Sequence, residues 1–206
     1  MTVVDDAPLG LRERKKLRTE ADLRAATLRL AVDRGFDHIT IDDIAAEAEV
    51  SKTTFYRYFD SKEDALLGNQ AEKTSRLAEA LAERPESEPL LTAVRNAVMG
   101  FINSYEHDRE TSLAIGRVTR STPSLGARNL EHQALWEATL ATFVAGRLDD
   151  AADAELRSRV VAAIVMATLR STIDYWRDTD GRDHLPDLLD ASLTMLAEKR
   201  SALAAP

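Results

Sequence analysis

The chain has 206 residues, of which 44% are hydrophobic, 30% are charged and only 5% are aromatic, and its formal net charge is −8. It contains no cysteine, which excludes disulfides, thiolate chemistry and cysteine-ligated zinc, and its few Gly and Pro residues favour helices over a sheet. The N-terminus lacks the apolar core of a signal peptide, and the stretch 160–169 is too short to cross a membrane. We therefore expect a cytoplasmic protein with no membrane partner.

The first predicted element is a helix over residues 11–34, ended by Gly35. Its start is basic, since Glu13 is the one acid within a run of five cations, Arg12, Arg14, Lys15, Lys16 and Arg18. Such a run can follow phosphates, although on its own it also fits an ordinary solvated tail. Its inward face comprises Leu23, Ala26, Thr27, Leu30 and Ala31.

Two short helices are predicted next, joined by only a few residues. Thr40 and Asp43 have the spacing of a capping box, and Ser51 is suited to cap a second helix that starts at Lys52. Phe55 and Phe59 then lie four residues apart, on one inward face. This arrangement is typical of a helix-turn-helix, in which the second helix enters the major groove of DNA.

The outward face of the second helix carries cations, hydroxyls and phenols instead of the strongest helix formers. These side chains suit phosphate oxygens and base edges. They are Lys52, Thr53, Thr54, Tyr56, Arg57 and Tyr58. Partial burial of the tyrosines in a small core is the alternative interpretation.

Residues 35–66 read GFDHITIDDIAAEAEVSKTTFYRYFDSKEDAL and closely resemble the N-terminal signature of TetR-type transcriptional repressors. The resemblance implies phosphate contacts at Thr40, Tyr56, Tyr58 and Lys62, and contacts at or near bases from Lys52, Thr53 and Arg57. Arg18, Ser51 and Thr54 complete the predicted DNA-binding residues. Two positions depart from the family pattern, because Glu49 and Thr53 stand where Gly is frequent, and Glu49 must adopt a left-handed conformation or reshape the turn.

A connector helix is predicted from the cap at Ser61 to about residue 84, and Pro85 to Pro89 mark its end. We place the domain boundary after residue 62, with a DNA-binding domain over 1–62 and a ligand-binding and dimerisation domain over 63–206. Five further helices are predicted, over 90–105, 111–120, 123–148, 155–176 and 185–203. The fold class is thus all-α, with about nine helices.

The last two predicted helices have wider apolar faces than one side of a small bundle requires. In the resembled family this helix pair forms a four-helix dimer interface, which implies a homodimer on a palindromic double-stranded DNA operator. The alternative is that both faces pack within the chain.

The resemblance also implies a pocket for a small-molecule effector in the second domain. Aromatic side chains with a few polar groups are usual in such pockets, and the candidates are Phe101, Tyr105, Arg117, Trp136, Phe143, Arg170, Asp174 and Trp176. The segment 117–123, followed by Trp136, resembles actinobacterial regulators found beside mycofactocin gene clusters, which suggests a fatty-acyl or acyl-CoA effector. We expect a ligand-responsive repressor, with activation as the alternative.

An enzyme is the rival class of function. The four histidines are scattered, and the sequence contains neither a glycine-rich phosphate loop nor a nucleophile elbow. We therefore predict no catalytic residues, no metal and no cofactor. A helical enzyme with a dispersed site and a protein-interaction module with a vestigial DNA-binding domain remain alternatives.

Overall fold

The computed structural model describes residues 10–148 and 153–202, with side chains up to residue 196. These residues form ten α-helices and one 3-10 helix and no strand, which confirms the predicted all-α class. The α-helices are α1 (Leu11–Arg34), α2 (Ile41–Glu47), α3 (Lys52–Tyr56), α4 (Lys62–Leu67), α5 (Gln70–Ala82), α6 (Leu90–His107), α7 (Arg109–Ser121), α8 (Pro123–Ala145), α9 (Ala154–Asp178) and α10 (Leu185–Ala202). The 3-10 helix is Phe36–His38. The predicted end of the last helix, Leu203, lies outside the described residues.

The predicted connector is two helices. Gly68 adopts a φ of 85°, and its N–H donates to the carbonyl oxygen of Asp64 at 2.8 Å, which ends α4. The chain then re-enters a helix at Gln70. The prediction of one continuous connector is therefore wrong, because glycine adopts a positive φ at little cost, and the about nine predicted helices become ten α-helices in the described residues.

The first compact unit extends to Asn69. Helix α1 has the predicted bounds and packs against α2 and α4, and all five residues predicted for its inward face are buried. Phe36, Ile44 and Phe55 are buried in the same unit. Since α4 packs on α1, it belongs to this unit, although the boundary predicted from the sequence falls after its first residue, Lys62.

The second compact unit starts at Gln70 and contains α5 to α10. Helix α8 packs along α9 and against α5, while α10 packs against α6 and α9. The core of this unit includes Leu77, Val98, Leu140, Val165, Trp176 and Leu189. Within the described ranges, no helix is both long and apolar enough to span a membrane.

Two arginines make multiple hydrogen bonds between separate segments of the second unit. Arg95 of α6 binds both carboxylate oxygens of Asp190 of α10, at 2.5 and 2.7 Å. Arg147, just after α8, donates to the carbonyl oxygens of Arg84, Pro85 and Glu88 at 2.8 to 2.9 Å. The predicted break between α5 and α6 is thus an ordered turn held by Arg147.

Candidate nucleic-acid interface

The predicted capping box at the start of α2 is confirmed. The Thr40 hydroxyl oxygen accepts from the Asp43 backbone N–H at 3.2 Å, and the Asp43 carboxylate accepts from the Thr40 backbone N–H at 2.8 Å and from the Thr40 hydroxyl at 2.6 Å. These hydrogen bonds, led by the one from the hydroxyl, lower the pKa of Asp43. Helix α2 therefore begins at a fixed point beside the predicted phosphate contact Thr40.

The turn between α2 and α3 bends at Glu49, whose φ of 55° lies in the left-handed region. A residue with a Cβ pays about 1 kcal/mol or more there. The turn is closed by hydrogen bonds from the Glu49 N–H to the Ala46 carbonyl at 3.1 Å and from the Val50 N–H to the Ala45 carbonyl at 2.9 Å. Of the two alternatives that the sequence left open for Glu49, the left-handed conformation is the one observed.

Helix α3 is short and capped. The Ser51 hydroxyl oxygen accepts from the Thr54 N–H at 3.1 Å and also hydrogen-bonds the Thr54 hydroxyl at 2.9 Å. Phe55 and Phe59 are buried, with ring centroids 5.8 Å apart. Phe59 lies beyond the end of the helix, but its N–H donates to the Phe55 carbonyl at 3.0 Å, so the predicted inward aromatic pair is confirmed.

The side chains predicted to face DNA lie largely on the surface. Lys52, Thr53, Tyr56 and Arg57 are exposed, whereas Thr54 and Tyr58 are half-buried. Tyr56 thus has a free outer face, while Tyr58 lies under the Arg57 guanidinium, 5.4 Å from its ring centroid. On α1, Arg18 is also exposed, 3.9 Å from Asp22. Their contacts with DNA stay a prediction.

Lys52 is paired within the protein. Its ammonium nitrogen lies 2.8 Å from a carboxylate oxygen of Asp42, the second residue of α2. The hydrogen bond to Asp42, with the charge of that carboxylate, raises the pKa of Lys52. The sequence gives no sign of this pairing, because Asp42 and Lys52 lie ten positions apart in two different helices.

Lys62 also makes internal contacts. Its ammonium donates to the carbonyl oxygens of Phe36 at 2.9 Å and Ile39 at 3.0 Å, and lies 4.6 Å from the centre of the Phe36 ring. An ammonium has three donors, so one N–H is left for another acceptor. In the structure, Lys62 joins α4 to the 3-10 helix and to Ile39, which follows it. Its phosphate contact stays a prediction.

Two parts of the chain match two family models. Residues 23–67 match the model described as bacterial regulatory proteins, tetR family, and residues 88–201 match the MftR C-terminal domain. The chain belongs to the TetR family of transcriptional regulators. It is thus a DNA-binding regulator, and the similarity of its second domain to the mycofactocin-type regulators is confirmed.

Individual TetR-family proteins show the same relationship. The transcriptional regulator TcmR of Streptomyces glaucescens is 33% identical over 180 residues, which is 83% of this chain and 80% of that protein. MftR of Mycobacterium tuberculosis is 25% identical over 163 residues, 79% of this chain and 82% of that one. The solved structure of FadR from Bacillus subtilis in complex with stearoyl-CoA has a TM-score of 0.58 at 18% identity, covering 85% of this chain and 96% of that chain. At that identity the likeness shows the fold.

Five of the eight predicted effector contacts, the aromatic ones, lie in or against the core of the second unit. Two aromatic pairs come together, Phe101 with Trp136 at 4.5 Å and Tyr105 with Trp176 at 6.5 Å between ring centroids. Each of the other four contacts a residue outside the predicted set. Phe143 packs under Arg147, and Arg117 pairs with Asp180 at the surface. Arg170 hydrogen-bonds Gln133, and Asp174 pairs with Arg177. Their role in binding an effector stays a prediction.

Replacing Lys62 with Met should destabilise the DNA-binding unit. The change keeps an apolar stem but removes the ammonium from two backbone carbonyls, so we expect a loss of about 1–2 kcal/mol in the free energy of unfolding. Denaturant unfolding followed by circular dichroism measures it. The control is Lys52→Met, which breaks only the exposed pair with Asp42 and should leave unfolding unchanged. Unchanged unfolding in both variants would show that the contacts of Lys62 with the two carbonyls do not stabilise the unit.

Proposed function

We propose that the protein is a homodimeric, ligand-responsive repressor that binds a palindromic operator through α3 of each protomer. It acts in the cytoplasm as a regulator and not as an enzyme. The observation that carries this proposal is the capped α3, whose Phe55 points inward while Lys52, Thr53, Tyr56 and Arg57 remain exposed. Activation is the alternative, and the position of the operator relative to its promoter distinguishes the two.

The exposed side chains of the first unit fall into two sets, one suited to phosphates and one suited to base edges. Cations on the first turns of α1 suit phosphates, which give affinity without sequence preference, and the Tyr56 hydroxyl can donate to a phosphate oxygen. Lys52 and Thr53 are the first two residues of α3. The N-terminal end of a recognition helix is the part that contacts base edges. One helix of five residues reads few base pairs, so a two-fold dimer reading two half-sites suits this unit.

Selection of genomic fragments with the purified protein should recover a palindrome. Its affinity should fall steeply with salt, because phosphate contacts release counterions. Tyr56→Phe, which removes only the hydroxyl, should weaken binding to operator and random DNA alike, by about tenfold for one charge-assisted hydrogen bond.

The matched control is Tyr175→Phe, since Tyr175 is an equally exposed tyrosine on α9. It should leave DNA affinity unchanged. Absence of any enriched sequence, including after unfolding and refolding to remove bound ligand, would contradict the proposed function.

Dimerisation through α9 and α10 is supported by apolar side chains that their own chain leaves exposed. On α9, Leu156, Val160 and Ile164 recur every four residues with 66%, 47% and 42% of their surface exposed. Their neighbours Val165 and Leu169 are buried in the core, so this stripe is additional to the internal packing. Met195 of α10 is 57% exposed. A second copy of the chain is the partner that would bury these side chains across a two-fold axis.

Ile164→Asp should convert the dimer into a monomer. A carboxylate in the middle of an apolar interface loses its hydration without gaining a partner, which should weaken dimerisation at least 100-fold. Sedimentation velocity measures it, and Leu130→Asp, at a 58% exposed position on α8, is the control. A dimer that persists in Ile164→Asp but dissociates in the control would place the interface elsewhere.

A fatty-acyl or acyl-CoA effector is supported by the pair formed by Phe101 and Trp136. The indole N–H of Trp136 is buried and has no hydrogen-bond acceptor among the described residues. The other indole, that of Trp176, donates to the Asp183 carbonyl at 3.1 Å. An unsatisfied buried donor is unfavourable, and an apolar ligand with a carbonyl oxygen would supply both packing and an acceptor. Stearoyl-CoA in the related FadR has this chemistry.

Stearoyl-CoA should weaken operator binding and raise the melting temperature, because a ligand stabilises the conformer that it prefers. Trp136→Phe keeps the ring packing but removes the N–H, so it should weaken the ligand about tenfold and leave operator affinity without ligand unchanged. Coenzyme A alone is the ligand control. Equal responses of parent and variant would remove Trp136 from the effector site.

A further inference from the structure

We propose that Asp42 is a positioning residue for sequence recognition, which holds Lys52 in the orientation that presents its ammonium to a base edge. The inference rests on the proposed role of α3 in contacting bases. The pair joins the second residue of α2 to the first residue of α3, at 2.8 Å between Nζ and Oδ2. Both side chains remain accessible, 50% exposed for Lys52 and 66% for Asp42.

Asp42 differs from the other acids of α2 in where its carboxylate points. Asp43 is engaged in the capping box with Thr40, and Glu47 binds Arg29 of α1 at 3.1 Å. Both of those contacts hold the first unit together. Asp42 alone among the three acids of α2 pairs with the start of the recognition helix, where a negative charge opposes attraction to DNA.

The geometry of the pair is fixed by the turn beneath it. Glu49 holds a left-handed conformation, and the hydrogen bond from the Val50 N–H to the Ala45 carbonyl closes the chain between α2 and α3. The backbones that carry Asp42 and Lys52 are therefore held at a set separation. A flexible lysine side chain is thus restrained from both ends, by its own helix and by the carboxylate.

This restraint favours bases over phosphates as acceptors for Lys52. The carboxylate occupies one of the three ammonium donors, and the remaining two match the paired acceptors O6 and N7 of guanine. A free lysine would also reach toward backbone phosphates, which carry no sequence information. The Asp42 carboxylate repels phosphates, so Lys52 held beside it adds little to the affinity for random DNA. At the operator, Lys52 contributes its full binding energy through the base contact.

The test compares Asp42→Asn and Asp42→Ala with the parent, on the selected operator and on random duplex, across a series of salt concentrations. We expect the affinity for random DNA to rise, because Lys52 becomes free to bind a phosphate. The slope of log affinity against log salt concentration should then be steeper by about one. The ratio of operator to random affinity should fall about tenfold, the discrimination of one base contact. Because the pair is exposed, the melting temperature should not change.

Two controls separate positioning from charge. Asp33→Asn removes the same charge from an exposed site on α1 and should leave the affinity ratio unchanged. In a Lys52→Ala background, Asp42→Asn should cause no further loss of the ratio, because there is no ammonium left to position.

Operator and random affinities that rise by the same factor in both Asp42 variants would overturn the positioning role while leaving the proposed function intact. A further loss of the ratio in the Lys52→Ala background would overturn it as well. A parent protein that prefers no sequence would overturn the proposed function together with this role.

Discussion

Burial of Phe55 against Phe59 is the interaction on which the DNA-facing surface depends. Helix α3 has five residues and α2 has seven, and helices of this length do not persist in water without tertiary support. Phe55 is fully buried and Phe59 nearly so, which fixes the rotation of α3 about its axis. That rotation decides which side chains face outward, and the caps at Thr40 and Ser51 decide where each helix begins.

The distribution of charge explains how an acidic TetR-family protein can act on DNA. The net charge is −8, and several cations near the helix-turn-helix are already paired, Arg29 with Glu47, Arg34 with Asp43 and Lys52 with Asp42. Lys62 is held by backbone carbonyls. By contrast, Arg12, Arg14, Lys15 and Lys16 at the start of α1 are exposed, so the cations suited to phosphates are concentrated there.

The second unit combines a packed interior with exposed apolar side chains on α9. Arg95 ties α6 to α10, and Arg147 holds the turn between α5 and α6, so polar contacts connect helices that apolar packing alone could let slide. Helix α9 contributes Val165 and Leu169 to the core on one side and leaves Val160 and Ile164 exposed on the other. A helix with apolar residues on opposite sides is suited to join the core of its own chain to that of a second copy.

The sequence by itself determined the all-α class, the extent of α1, both caps of the helix-turn-helix and the inward aromatic pair, and it narrowed Glu49 to two alternatives. These features depend on residues within four positions of one another, where the helical repeat and cap geometry hold regardless of the rest of the fold. The break at Gly68 was also a local signal, but the capping pattern before it and the leucines after it favoured one continuous helix.

Only the tertiary structure decided what Lys52 and Lys62 contact, because their partners lie 10 to 26 positions away along the chain and no sequence period brings them together. It likewise decided which of the predicted effector residues meet, Phe101 with Trp136 and Tyr105 with Trp176, since composition indicates which side chains line pockets but not which of them are in contact. A long side chain reaches whatever the packed backbone places nearby, and that placement comes from the whole domain.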